Sequence, residues 1–230
     1  MTAAGWYHTI ELGDGETTPG WFDLRALART LPFPPSMAGL RCLDVGTFEG
    51  FWALEMERRG AAEVVAIDIL DPLAWDWPAG SSEAIVAALE DRKRGGAGFE
   101  HVKRALGSSV ERIERSVYDL HPEHVGTFDF IYLGSLLLHL RDPVRALEAV
   151  RSVCRGQLLS VDAIDLPLSL LTRRPLAYLD AVGRPWWWRP NQAGLVRLLE
   201  AGGWKPVAPP RRVFMAPGPA HPRAGGPLQV

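Results

Sequence analysis

Two aspartates, each closing an apolar run, and two glycines just beyond the first of them are the residues of this chain best suited by type and spacing to ligand chemistry. In the segment "RCLDVGTFEGFW" (residues 41–52) they are Asp44, Gly46 and Gly50; in "EVVAIDIL" (residues 63–70) the acid is Asp68. A ligand bound at the carboxyl ends of parallel strands meets the turn after the first strand, where glycine allows close backbone approach. A carboxylate ending the next strand can accept both hydroxyls of a ribose. Asp44, just before the turn, disfavours a pyrophosphate and favours an ammonium group. The dinucleotide fingerprint G-x-G-x-x-G would need glycines where Phe48 and Phe51 stand. A ribose on one side and a cationic amino-acid moiety on the other describe S-adenosylmethionine, which is the expected cofactor; S-adenosylhomocysteine would be its product.

Only a parallel sheet would present these residues together, and the middle of the chain alternates short β-rich runs with helical patterns, as a sheet covered on both faces requires. Strands are expected at "LRCLDV", "EVVAIDIL", "VERIERSVYDL", the start of "FDFIYLGSLLLHL" and "QLLSVDAID". Between them, "GFWALEMERRG" reads as a helix closed by Gly60, "SSEAIVAALEDRKRGG" as one begun by serines and stopped by glycines, and "GFEHVKRALG" as a helical turn or two. In "RDPVRALEAVRSVCRG", Asp142 caps, Pro143 takes the first position, Val144, Leu147, Val150 and Cys154 face inward, and Gly156 stops the helix. "NQAGLVRLLEAGG" is the last helix, and "WKPVAPP" with "RRVFMAPG" reads as a closing pair of strands. The expected architecture is α/β: a Rossmann-like fold with a mostly parallel seven-stranded sheet flanked by helices. One domain is expected, with residues 1–39 an extension over the site, 40–165 the cofactor-binding core, and 166–230 the lid segment, last helix and closing strands.

Composition limits the partners. The chain of 230 residues is 47% hydrophobic and carries a formal charge of −2, with lysine only at Lys93, Lys103 and Lys205. That is no broad basic face for a phosphate backbone. The short runs Arg92–Arg94, Arg173–Arg174 and Arg211–Arg212 read as solvated helix ends or as a local basic patch. Cys42 and Cys154 lie far apart beside apolar segments, as buried reduced thiols do, and no metal site is expected. With no basic-then-apolar start and no run near the roughly 18 apolar residues of a membrane span, a soluble cytoplasmic protein is expected, as a monomer or homodimer.

The segments "LDVGTFEG", "VVAIDI", "SVYDL" and "FDFIYLGSLLLHLRDPVRAL" resemble the successive motifs of class I S-adenosylmethionine-dependent methyltransferases over roughly residues 40 to 165. Within that class, "HTIELGDGETTPGWFDLR" and "WWWRPNQAGLVRLLEAGGW" are similar to the tRNA wobble-uridine (mo5U/cmo5U) methyltransferase-like branch. The resemblance implies that Asp44, Gly46 and Gly50, with Thr47 and Phe48 in the same turn, line the methionine end of the cofactor. It places the ribose on Asp68 beside Ile69, the adenine against Tyr118 and Asp119, and the sulfonium near Gly134. Branch members that use a carboxylated cofactor read its extra charge with a tyrosine in L-Y-H and a lysine in K-G-P-F. Here those elements are Leu137-Leu138-His139 and Trp6-Tyr7-His8-Thr9. Each lost charged hydrogen bond costs about 1–3 kcal/mol, so ordinary S-adenosylmethionine is expected.

Methyl transfer asks mainly for alignment of acceptor and methyl, and an alcohol or phenol acceptor must also lose a proton. His139, just past the fourth strand, is the candidate base; the alternative is local packing in an H-x-x-D-P turn. Asp162 and Asp165, at the end of the fifth strand, can orient an acceptor or take a proton, or equally cap a helix. Tyr7 and His8 can fold over the site. The segment "LTRRPLAYLDAVGRPWWWRPN" reads as an aromatic lid, with Trp187, Tyr178 and Arg174 at the acceptor, or as cement between lid and body. Three adjacent tryptophans cannot all face one core. The expected function is methyl transfer to a small-molecule oxygen; the alternatives are a wobble-uridine-type RNA methyltransferase and a cofactor-binding partner without catalysis.

Overall fold

A computed structural model of the chain describes residues 5–13, 15–81, 83–182 and 185–221. Five strands, β4 (Arg41–Val45), β5 (Glu63–Asp68), β6 (Glu111–Glu114), β7 (Phe128–Gly134) and β8 (Cys154–Val161), form one parallel sheet in the order β6-β5-β4-β7-β8. The chain first builds outward from β4 through β5 to β6, then returns to β7 on the other side of β4. The order therefore reverses between β4 and β7, and ligands of open α/β sheets bind outside the strand ends at such a point. Asp44, Asp68 and Gly134 all lie at or next to those ends.

Helices cover both faces. They are α1 (Arg25–Thr30), α2 (Phe51–Arg58), α3 (Glu83–Lys93), α4 (Ala97–Leu106), α5 (Pro122–Val125), α6 (Pro143–Ser152), α7 (Leu166–Leu171) and α8 (Gln192–Ala201). Alternate residues of β4 feed two apolar layers. Cys42 packs with Trp52, Met56, Phe99 and Phe130 on one face, and Leu43 and Val45 with Ile131, Leu147 and Val150 on the other. Short antiparallel pairs lie outside this sheet: β1 (Glu11–Gly13) with β2 (Glu16–Thr17), β3 (Phe22–Asp23) with β11 (Ala216–Pro217), and β9 (Ala177–Leu179) with β10 (Trp188–Pro190).

Rossmann-like architecture is thus present, while several details differ from expectation. Among the described residues the main sheet has five strands rather than seven. The segment "WKPVAPP" forms no strand, since Pro206, Pro209 and Pro210 offer no N–H to a ladder. Of "RRVFMAPG" only Ala216–Pro217 pairs, and with β3. The α6 helix begins with Asp142 accepting from the Arg145 N–H at 3.0 Å, yet it ends at Ser152. Cys154 and Gly156 therefore belong to β8, not to the helix face and its stop. The segment "GFEHVKRALG" contributes most of a ten-residue helix, α4. Both cysteines are free and buried, as expected.

Candidate active site

A cavity of about 730 Å³ opens at the reversal point. Asp44, Gly46, Phe48, Asp68, Ile69, Tyr118 and Gly134, all singled out from sequence as cofactor-binding, line it. The N-terminal segment adds Tyr7 and His8, the turn after β7 adds His139, and the lid adds Trp186 and Trp188.

The turn after β4 is built from its own polar atoms. Asp44 is buried, and its Oδ2 accepts from Thr47 Oγ1 at 2.7 Å and from the Ala53 N–H at 3.1 Å, while Oδ1 takes no hydrogen bond among the described residues. Burial pushes the Asp44 carboxyl up to about 6, against the pull of these hydrogen bonds. Gly46 has φ of +79°, so the left-handed conformation of the turn requires a glycine there. Phe48 also has positive φ, at 52°, and its N–H is fixed by Asp68 Oδ2 at 2.8 Å. Thr47 and Gly50 do not line the cavity: Thr47 holds Asp44, and Gly50 caps α2 and packs against Phe99.

Asp68 accepts from the N–H groups of Phe48 and Ile69 and is ion-paired with the buried ammonium of Lys93. The run Arg92–Arg94 is therefore not a solvated helix end. Lys93 turns in under the cavity against the Phe48 and Trp75 rings, and Arg92 lies over the Trp21 ring at 3.4 Å. Nothing in a charge run announces this; Ala84, Ile85, Ala88 and Leu89 of α3 line the same cavity, a placement that depends on which helix face the sheet leaves open.

Tyr118 lines the cavity, but its hydroxyl is engaged. It donates to Asp76 Oδ2 at 2.6 Å and accepts from the Asp142 N–H at 3.1 Å. Burial and the Asp76 carboxylate both raise its pKa. Asp119, expected at the adenine, is exposed and does not line the cavity; Ser116, Val117 and Tyr118 line that side instead.

His139 is half-buried, with Nδ1 2.6 Å from the Pro185 carbonyl oxygen. A carbonyl only accepts, so Nδ1 carries the proton and Nε2 keeps its lone pair. Burial lowers the pKa of the ring, so it is neutral at pH 7. The two acids expected beside it have other partners. Asp162 Oδ2 accepts from the N–H groups of Leu136 and Leu137 at 2.9 and 2.7 Å and Oδ1 from that of Ala163, and burial raises its pKa to about 6. Asp165 caps α7 through the Leu168 N–H and accepts from the Tyr178 hydroxyl at 3.2 Å. Neither lines the cavity.

The lid differs in detail from the sequence reading. Trp187 sends its indole N–H to the Asp76 carbonyl at 2.6 Å and its backbone N–H to Leu138, away from the cavity. Trp186 and Trp188 take the place expected of it, as the alternation of side chains along an extended segment requires. Arg174 and Tyr178 are exposed and outside the cavity lining. One acid was overlooked: Glu49, buried in the turn after β4, lies with Oε2 2.8 Å from His8 Nδ1 and accepts from the Tyr7 N–H through Oε1 at 2.8 Å. An acid between two glycine-led turns was the available signal.

Among the described residues, no cluster of potential metal ligands and no helix long and apolar enough to cross a membrane is present. A family model described as "Methyltransferase domain" matches residues 21–208. Two curated proteins named ubiquinone biosynthesis O-methyltransferase are each 31% identical to the chain. That from Xanthomonas euvesicatoria pv. vesicatoria aligns over 64% of this chain and 49% of its own length, and that from Xanthomonas axonopodis pv. citri over 63% and 48%. The chain thus spans about half the length of the curated relatives it matches. Among solved structures, the N-terminal domain of EvdMO1, crystallised in the presence of SAH and D-fucose, superposes with a TM-score of 0.52 at 17% identity, covering 87% of this chain and 82% of that one. A model match over most of the chain, together with the sheet order and the residues at its strand ends, shows that the chain belongs to the methyltransferase-domain family, with the fold of its class I, S-adenosylmethionine-dependent members.

Proposed function

We propose that the protein transfers a methyl group from S-adenosylmethionine to an oxygen of a small, largely apolar acceptor. The observation that carries this reading is the convergence of Asp44, Gly46, Asp68 and Gly134 on one aromatic-rich cavity at the reversal of strand order. The residues fit the cofactor. Asp44 keeps one oxygen for an ammonium group, and the Asp68 carboxylate stands where ribose hydroxyls would take up the lone pairs now shared with Lys93.

Bound S-adenosylmethionine would supply an electrophilic methyl group. The protein's part is then to align the acceptor and remove its proton. Trp186 and Trp188 give the cavity flat apolar walls for a planar or aliphatic acceptor and keep water out, while neutral His139 offers Nε2 as the proton acceptor, with Nδ1 anchored on Pro185. The ubiquinone O-methyltransferase relatives are consistent with an oxygen acceptor. The basic runs do not favour RNA: Arg92 is drawn over Trp21, Arg211 donates to the Thr30 carbonyl, and Arg173 and Arg212 border a separate hollow between α7 and α8. Radiolabelled methyl transfer to panels of phenols, sugar-type alcohols and total tRNA tests the reading. Label in a small-molecule panel supports it; label in tRNA alone would replace it with the RNA reading.

A further inference from the structure

The hydroxyl of Tyr132 has no place in the scheme above. The residue stands on β7 and is only 2% exposed, yet its hydroxyl makes no hydrogen bond to any described residue. Its ring is stacked on Trp52, with centroids 4.4 Å apart and an interplanar angle of 27°, and on Phe33 at 5.7 Å and 14°. Phenylalanine would stack in the same way and leave no polar atom to desolvate, so packing explains the ring and not the oxygen. Buried polar groups are hydrogen-bonded as a rule, and one that is not asks for a partner from outside the chain.

Gly134 shows where that partner would sit. Tyr132 and Gly134 are two apart on one strand and so share a face of the sheet, and a Cβ at Gly134 would collide with the Tyr132 hydroxyl. The φ of Gly134 is not in the left-handed region, so the approach of the hydroxyl, and not the backbone, is what excludes a side chain there. Both residues line the cavity, as do Ser135, Leu136 and His139 in the turn that follows. The hydroxyl thus meets the cavity at the end of the strand that leads to the candidate base.

Burial, with the Asp44 and Asp162 carboxylates adding to it, holds the phenol proton on well above the usual tyrosine range. At pH 7 the group is a neutral hydroxyl that can donate or accept. Those carboxylates make an anion an unfavourable partner, and a cation is better served by Asp44 itself, so an uncharged polar atom suits the hydroxyl. In the acceptor scheme the reacting oxygen gives its proton to His139 Nε2, which leaves a second oxygen of the acceptor for Tyr132. Resting on that small-molecule reading, we infer that the Tyr132 hydroxyl hydrogen-bonds an uncharged oxygen of the acceptor other than the one methylated, and so selects acceptors that carry two oxygens. The wall around it is apolar, with Trp52, Leu136, Val161 and Met215, so an acceptor lacking that oxygen finds no substitute partner for the hydroxyl.

Tyr132→Phe tests this, assayed with matched monohydroxylated and dihydroxylated phenols and alcohols from the panels. Wild-type protein should favour the dihydroxylated member of a pair by at least about fivefold in kcat/KM, and the variant should reduce that preference to within about twofold, mainly through KM. The affinity for S-adenosylmethionine, measured by calorimetry, should change less than about twofold. The Tm should hold or rise, because the substitution removes an unpaired buried hydroxyl. A lower Tm with equal losses on both members would make the hydroxyl structural, and a selective loss of S-adenosylmethionine affinity would assign it to the cofactor. Either result overturns the inference, as would wild-type protein without the preference or a variant that retains it. Wild-type protein that binds S-adenosylmethionine but methylates no panel member would overturn the small-molecule reading itself, and the inference with it.

Discussion

At the level of single residues, the site depends on acids whose environments differ. Asp44 is raised to about 6 by burial and must be ionised to hold an ammonium group. Affinity for S-adenosylmethionine should therefore be full above that value and fall as pH drops through it, approaching tenfold per unit at the steepest. Asp44→Asn should bind weakly at pH 8 and lose this acid limb, as titrations across pH 5 to 8 will show. In the cofactor-free protein the sign is opposite. A carboxyl raised on folding contributes stability that is full below its unfolded value and is lost as pH rises through about 6. Asp162 has a different task. It holds the N–H groups of Leu136 and Leu137, and so the turn that carries His139. Asp162→Ala should cost about 2 kcal/mol, read as a lowered Tm. His139→Ala should reduce kcat by about 10² to 10⁴ while leaving cofactor affinity unchanged, a split that rapid-mix and equilibrium measurements resolve. Asp44 and Asp68 were legible in the sequence because each ends an apolar run. The roles of Asp162 and Asp165 were not, since a strand-end acid and a cap have the same local sequence, and only their backbone partners distinguish them.

At the level of elements, two segments decide what the cavity admits. The lid presents Trp186 and Trp188 inward while Trp187 anchors on Asp76. Trp188→Ala should raise the acceptor KM with little change in cofactor affinity, whereas Trp187→Ala should chiefly loosen the lid; steady-state kinetics with the best acceptor from the panels separates the two. In α3, Lys93 neutralises Asp68 in a buried pair. Lys93→Met removes one partner and leaves the other carboxylate buried, which should destabilise the cofactor-free protein by about 3 kcal/mol, measured by denaturant unfolding. Helix caps such as Asp142 followed by Pro143 were readable because capping is local chemistry. The inward turn of Lys93 was not, since it depends on which helix face the sheet leaves open.

For the whole molecule, alternation of β-rich and helical runs was enough to give a parallel sheet covered on both faces, and the position of the cavity follows from the strand order. The closing strands expected beyond α8 fail at prolines, so the described part of the sheet ends at β8 and the C-terminal segment instead crosses to β3 beside the N-terminal cover. That crossing brings Trp21, Phe22, Met215 and His221 to one side of the cavity, a long-range meeting that no local pattern contains. The central claim is that this cavity is built for S-adenosylmethionine. Calorimetric titration of the purified protein with S-adenosylmethionine, its carboxylated analogue and NAD tests it most directly, alongside Asp68→Ala. The expected result is tight binding of S-adenosylmethionine alone, abolished in the variant. Preference for NAD, or unchanged affinity after removal of Asp68, would contradict it.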